Sequence, residues 1–187
     1  MLQSAYYPTP VATQSRLSET ASVSRSAIAA TLTPTDILLD LDVPNRCGAL
    51  RAVSAMIERS QRLSAPPVFR ALWRREKAES TGVGDGFGIP HARIAGITDP
   101  VTVYVRLKAP VDFAAPDGKR VSELFVILVP TDGDNAKHLQ LLSLVAEAFS
   151  DSDFRVRLSA AADPLAVESA FSEWVSEKAT WRERKAS

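Results

Sequence analysis

Six apolar residues stand in an unbroken row at Leu124-Phe125-Val126-Ile127-Leu128-Val129. A β-strand turns successive side chains to opposite faces of its sheet, so a run with no polar break marks a strand covered on both sides. Such a strand demands helices above and below the sheet. The neighbouring pattern supplies them. Val101-Thr102-Val103-Tyr104-Val105-Arg106-Leu107 is β-branched and alternating, and Ile37-Leu38-Leu39-Asp40-Leu41 is a third short strand. Arg46 to Arg62 carries a helical stripe at Ala49, Val53, Met56 and Ile57. Pro66-Pro67 opens a helix through Glu79, with Leu72 and Trp73 expected inward. Asp132-Gly133-Asp134-Asn135 reads as a loop and cap. It precedes a helix with Leu139, Leu142, Val145, Ala146 and Phe149 on its stripe. Ser150-Asp151 caps a short helix through Leu158. Asp163-Pro164 opens a last one carrying Leu165, Val167, Ala170, Phe171, Trp174 and Val175.

A length of 187 residues fits one domain. Residues 1–32, rich in Ser, Thr and Ala and poor in large aliphatics, read as a mobile extension. Their few Arg and single acid weakly resemble an organellar transit peptide; a variable leader is the plainer alternative. The folded unit spans residues 33–176, and residues 177–187 form a charged tail expected to fray. Lys plus Arg and Asp plus Glu both number 22, so no net charge marks the chain for nucleic acid. No apolar stretch approaches the ~20 residues of a membrane span. The lone Cys47, expected as a small buried apolar residue, excludes a disulfide framework and fits a reducing cytoplasm.

Four of the eight glycines fall between Ser80 and His91, at Gly82, Gly84, Gly86 and Gly88. The spacing fails both the dinucleotide fingerprint and the nucleotide P-loop, and the run ends in Ile89-Pro90-His91 instead of a helix. Pro90 fixes its own φ and biases Ile89 towards extended backbone, which places His91 at the edge of an open glycine loop. Residue physics leaves two readings of His91 open: a rigidly presented imidazole nucleophile, or an incidental surface histidine beside a tight turn. His138, the only other histidine, falls near a helix start, where free N–H groups suit an anion. Arg75 lies sixteen residues before His91 and is either a solvated C-terminal cation or a fork reaching an anion at His91. No ligand spacing adjoins either histidine, so a metal site is disfavoured and no cofactor is expected.

Several blocks together resemble enzyme IIA of the bacterial phosphoenolpyruvate-dependent phosphotransferase system. They are Arg75-Glu76-Lys77, Ser80-Thr81-Gly82-Val83-Gly84-Asp85-Gly86, Ile89-Pro90-His91-Ala92-Arg93, Asp117-Gly118-Lys119, Leu124 to Pro130, and His138-Leu139-Gln140-Leu141-Leu142-Ser143. The likeness is to the fructose/mannitol type, nearest its nitrogen-regulatory branch, and covers about residues 33–176. It implies an α+β fold: an α/β/α three-layer sandwich on a mixed sheet of about four to five strands. It implies that His91 is the phosphoacceptor, a tele-phosphohistidine candidate fed by HPr or a nitrogen-branch homologue of HPr. By the same resemblance His138 lies beside His91, Arg75 assists with phosphate charge, and Ser80, Thr81, Gly82, Gly84, Gly86, Gly88 and Pro90 form the phosphate-site loop. Phe87-Gly88 departs from the family's small aliphatic and Ala, and Phe87 is expected at the hydrophobic rim of the site. Nothing resembles a fused IIB or IIC domain.

Two outputs follow. One is a phosphorylation state on His91 that signals to regulatory kinases or transporters. The other is passage of phosphate to a separate IIB and so to a sugar. Neither calls for nucleic acid or for direct membrane insertion.

Overall fold

The computed structural model describes residues 32–186. The expected extension up to residue 31 lies outside the described residues. Leu32 lies inside them and is buried at 1% exposure, so the core takes in one residue that the sequence reading assigned to the extension. A short turn of 3-10 helix, Pro34–Asp36, leads into β1, Ile37–Leu41. Helices α1, Arg46–Gln61, and α2, Ala65–Ala78, follow. Asn45 caps α1 by accepting from the N–H of Gly48. The chain then forms β2, Gly82–Gly84, β3, Phe87–Gly88, β4, His91–Ile94, β5, Val101–Val111, and β6, Val121–Pro130. Helices α3, Asn135–Ser150, α4, Ser152–Ala160, and α5, Pro164–Ala186, complete it.

The glycine run is therefore not an open loop. It is a two-stranded hairpin followed at once by a third short strand. The turn at Asp85-Gly86 is closed by positive φ at both residues, a conformation Gly adopts freely. The sheet has six strands, more than expected, because this run contributes three of them. Its order is β1-β5-β6-β3-β2, and β4 also pairs with β6. It is mixed: β1 is parallel to β5, β5 antiparallel to β6, and β3 and β4 both parallel to β6.

Strand β6 behaves as its unbroken apolar run requires. Leu124, Val126 and Leu128 enter one core with α1 and α2, while Phe125, Ile127 and Val129 enter the other with α3, α4 and α5. All six are buried to 4% exposure or less. At about 25 cal/mol per Å² of apolar surface, this central strand contributes much of the hydrophobic stabilisation. The architecture is a three-layer α/β/α sandwich.

The C-terminal segment runs on as helix, against the expectation of a frayed tail. Charged residues such as Glu177, Lys178 and Arg182 are good helix formers, and two ion pairs dock the start of the segment. Arg157 reaches both carboxylate oxygens of Glu177, at 2.8 and 3.1 Å, and Lys178 lies 3.0 Å from Asp151. Cys47 is half-buried, not buried. Trp73 is also only half-buried, stacked on Phe69 with ring centroids 6.3 Å apart. Leu139 and Leu165, expected on inward stripes, are 64% and 63% exposed.

Candidate functional site

Strand β4 begins at His91, and its place in the sheet explains what meets there. Ala92 and Ile94 point into the α1/α2 core, so by strand alternation His91 and Arg93 face the α3 side. Strand β4 pairs with β6 alone, His91 lying opposite Ile127. Its free edge lets groups from both helix layers reach one side chain. Pro90, which has no N–H to give, stands at the step between β3 and β4, and its carbonyl accepts from Ile127 N at 2.9 Å.

Two hydrogen bonds define the His91 imidazole. Its Nδ1 lies 2.8 Å from the carbonyl oxygen of Ile89. A carbonyl only accepts, so Nδ1 carries the proton and Nε2 the lone pair. The Nε–H of Arg75 donates to that Nε2 at 3.0 Å, which a protonated nitrogen would not permit. Arg75 is held in turn by Nη1 donating to the Glu79 carbonyl at 2.8 Å and by an ion pair with the Glu79 carboxylate at 3.8 Å. Burial pushes the His91 pKa below its usual value; the Ile89 carbonyl opposes this and the Arg75 charge adds to it. The ring is thus a neutral imidazole whose Nε2 lone pair is held in a fixed direction.

His138 comes from α3, and its ring centroid is 5.8 Å from that of His91. Its pKa is also lowered, first by burial and then by the charges of His91 and Arg93. Its Nδ1 is buried without a hydrogen-bond partner. The helix start offers fewer free donors than expected: His138 N donates to the Asp134 carbonyl and Ala136 N to the Asp134 carboxylate.

The glycine run braces this arrangement through bonds within the chain. Ser80 Oγ donates to the Phe113 carbonyl at 2.6 Å, and Thr81 Oγ1 donates to the buried Glu76 carboxylate. The N–H groups of Thr81, Gly82, Asp85 and Ile89 all have partners within the chain. Gly82 and Gly88 lack side chains for steric reasons. A Cβ would stand 2.8 Å from Ala115 Cβ at the first and 2.9 Å from Leu124 Cδ2 at the second. Phe87 is not at the rim of the site: it is buried at 5% exposure and packs 4.6 Å from the Phe149 ring. Of the expected residues, the structure brings His91, His138 and Arg75 together; Thr81 bonds to Ile89 and Pro90 to Ile127, beside His91, whereas Gly84 and Gly86 lie at the hairpin turn, against Asp117 and Ser122 and away from the imidazole.

The sequence profile described as "Phosphoenolpyruvate-dependent sugar phosphotransferase system, EIIA 2" matches residues 30–174. The chain belongs to this EIIA 2 family. A nitrogen regulatory protein of Pseudomonas aeruginosa is 37% identical over 131 residues, which is 70% of this chain and 84% of that protein. A fructose-specific EIIA component of Haloferax volcanii is 38% identical over 105 residues, 56% of this chain and 68% of that one. The crystal structure of nitrogen regulatory protein IIA-Ntr from Neisseria meningitidis has a TM-score of 0.73 at 36% identity, covering 77% of this chain and 98% of that one.

Two residues beside His91 and Arg75 were not singled out as individuals from the sequence. Arg93 clamps the end of β6 to the start of α3: Nη1 reaches the carbonyls of Pro130 and Thr131 at 3.2 Å, and Nη2 meets the side chain of Asn135. Glu76, wholly buried in its side chain, lies 3.6 Å from Arg46 and accepts from both the N–H and the hydroxyl of Thr81. A charged residue pointing inwards on the α2 stripe was the available signal. Beside this candidate site a groove of about 760 Å³ runs between α2 and β4, with Phe69, Trp73, Arg74, Lys77 and Arg93 on its walls. Among the described residues no cluster of His, Cys, Asp and Glu could hold a metal, and no helix is long and apolar enough to cross a membrane.

Proposed function

We propose that this protein is a phosphocarrier whose Nε2 of His91 accepts a phosphoryl group from a phosphohistidine on an HPr-type carrier, and that its phosphorylation state is read by regulatory partners in the cytoplasm. One observation carries the reading: the Ile89 carbonyl fixes the proton on Nδ1, which leaves the lone pair of Nε2 facing the Arg75 guanidinium.

The chemistry needs positioning and charge more than bond-making help. Arg75 must first leave Nε2, because its N–H occupies the line of attack. The Nε2–P bond then forms as the P–N bond of the donor breaks, and the electron pair returns to the donor imidazole. The His91 ring gains positive charge in this step, and the Ile89 carbonyl on Nδ1–H offsets it. The displaced Arg75 fork meets the phosphoryl oxygens, where a planar pair of donors fits best. His138 donates a further hydrogen bond to a phosphoryl oxygen. With the amides of Thr81, Gly82, Asp85 and Ile89 already partnered within the chain, these two side chains carry the phosphate charge. His attacking phosphohistidine exchanges like for like, so transfer stays reversible. Exposed Leu139 and the groove beside β4 offer the carrier apolar and basic surface.

The nitrogen regulatory relatives support the regulatory output. The fructose-specific relative supports a second reading, onward transfer to a separate IIB. Reconstitution with phosphoenolpyruvate, enzyme I and HPr-type carriers of both branches, followed by addition of a IIB, separates the two. Label that exchanges with the carrier but never reaches IIB is the expected result. Stoichiometric transfer to IIB would replace it with the sugar-transport reading.

A further inference from the structure

A continuous chain of hydrogen bonds ties a buried carboxylate to the proposed acceptor. Glu76 on α2 accepts at Oε2 from Thr81 N, 3.2 Å away, and from Thr81 Oγ1. The Thr81 carbonyl accepts from Ile89 N at 2.8 Å. The Ile89 carbonyl accepts from His91 Nδ1 at 2.8 Å. Every link bridges two segments: α2 to the start of the hairpin, the hairpin to the end of β3, and the end of β3 to the first residue of β4.

We propose that Glu76 is a positioning residue for the nucleophile, which through Thr81 and Ile89 sets the tautomer and orientation of His91. The proposal rests on the phosphocarrier reading for its role in transfer, but not for its effect on the ring. Glu76 side chain has no exposure, so its carboxylate is present at the cost of desolvation and needs the Thr81 donors and Arg46 beside it. A helix face that needed only packing would carry an apolar residue here. The neighbour Arg75 contacts His91 directly, so consecutive residues of one helix reach the two ring nitrogens: Arg75 meets Nε2 in the open, and Glu76 reaches Nδ1 through the interior. A tautomer held this way keeps Nε2 unprotonated, which is the state that attacks. The second oxygen, Oε1, has only Arg46 at 3.6 Å, so the Thr81 side of the carboxylate carries its hydrogen bonds.

The test compares Glu76→Met, which keeps length and removes the acceptor, with Glu76→Gln, which keeps an oxygen for Thr81 and removes the charge. Thr81→Val removes one of the two bonds at the other end and serves if Glu76→Met does not fold. Ring ¹⁵N shifts of His91 in the unphosphorylated protein report the tautomer, and uptake from phospho-carrier reports transfer. The wild type should hold the Nδ1–H form. Glu76→Met and Thr81→Val should mix in the Nε2–H form and slow uptake about tenfold, with KM for the carrier unchanged. Glu76→Gln should stay near wild type in both. Folded variants with wild-type ¹⁵N shifts overturn the proposal, and so does a Glu76→Gln as impaired as Glu76→Met, which would make the carboxylate a structural charge for Arg46. A wild type that takes up no phosphate while the shifts move as expected would sink the phosphocarrier reading and leave the positioning role standing.

Discussion

The Nε–H of Arg75 points at the Nε2 lone pair of His91 across 3.0 Å, so in the unphosphorylated protein the cation caps the atom proposed as nucleophile. The same guanidinium is tethered to Glu79 at the end of α2. Release of one bond therefore leaves the side chain close to where a phosphoryl group would arrive.

Arg75→Ala should fold, since the hydrogen bonds and ion pair of this side chain go to His91 and Glu79 at the site itself. Losing a preorganised cation at the developing charge should slow phosphate uptake by about a hundredfold. Stopped uptake assays alongside thermal melts check both halves. Wild-type kinetics in Arg75→Ala would remove it from the site.

Burial is the largest influence on His91 and lowers its pKa, with the Arg75 charge acting the same way against the Ile89 carbonyl. The neutral ring should persist as pH falls past ~6.5, the ordinary value, and uptake should decline only below it. The sign for stability is fixed by the same shift. The unfolded chain binds a proton near pH 6.5 and the folded one lower, so His91 favours the fold above that value and loses this contribution as pH falls through the folded pKa. His138 is shifted in the same direction. A ring-proton titration should give a His91 midpoint under ~6.5. A midpoint above 6.5 would contradict the geometry.

His138→Ala should remain phosphorylatable at His91 but slower. One charge-assisted hydrogen bond is worth roughly 1.5–3 kcal/mol, equivalent to about ten- to a hundredfold in rate. His138→Gln keeps a donor and should recover part of it. Transfer at the wild-type rate in His138→Ala would mark the residue as a bystander on the α3 surface.

Much of this was legible in the residues. The β6 run dictated a doubly covered strand, and alternate side chains enter the two cores as that demands. Arg75, His91 and His138 were reached through the joint order of their blocks, and the structure gathers them around one ring. The hairpin was not legible, because Gly-rich strands of two or three residues carry no alternation; pairing of β2 with β3 and of β3 with β6 makes them strands. Phe87 was misplaced at the rim because one residue beside a glycine has no readable periodicity. The helical end beyond Glu177 depended on Arg157, twenty residues away. Glu76 falls in register with Val68 and Leu72 on the buried stripe of α2, but only the fold reveals Thr81 as its partner.

Gly82→Ala should cost about 1–3 kcal/mol, because the new Cβ meets Ala115 Cβ at 2.8 Å and its Cα at 3.0 Å, where backbone has to move. The hairpin carries Thr81 and leads to Ile89, so uptake at His91 should slow as well. Denaturant melts and uptake rates measured together test this. An unchanged midpoint would show that the hairpin is free to shift.

The central claim is that His91 Nε2 receives the phosphoryl group. Incubation of the full chain with phosphoenolpyruvate, enzyme I and an HPr-type carrier, followed by mapping of the modified residue, tests it most directly. The expected product is a single phosphoryl group on His91, at Nε2, labile to acid and stable to base, and absent from His91→Ala. Full labelling of His91→Ala on another residue, or an acid-stable label on Ser or Thr, would contradict it.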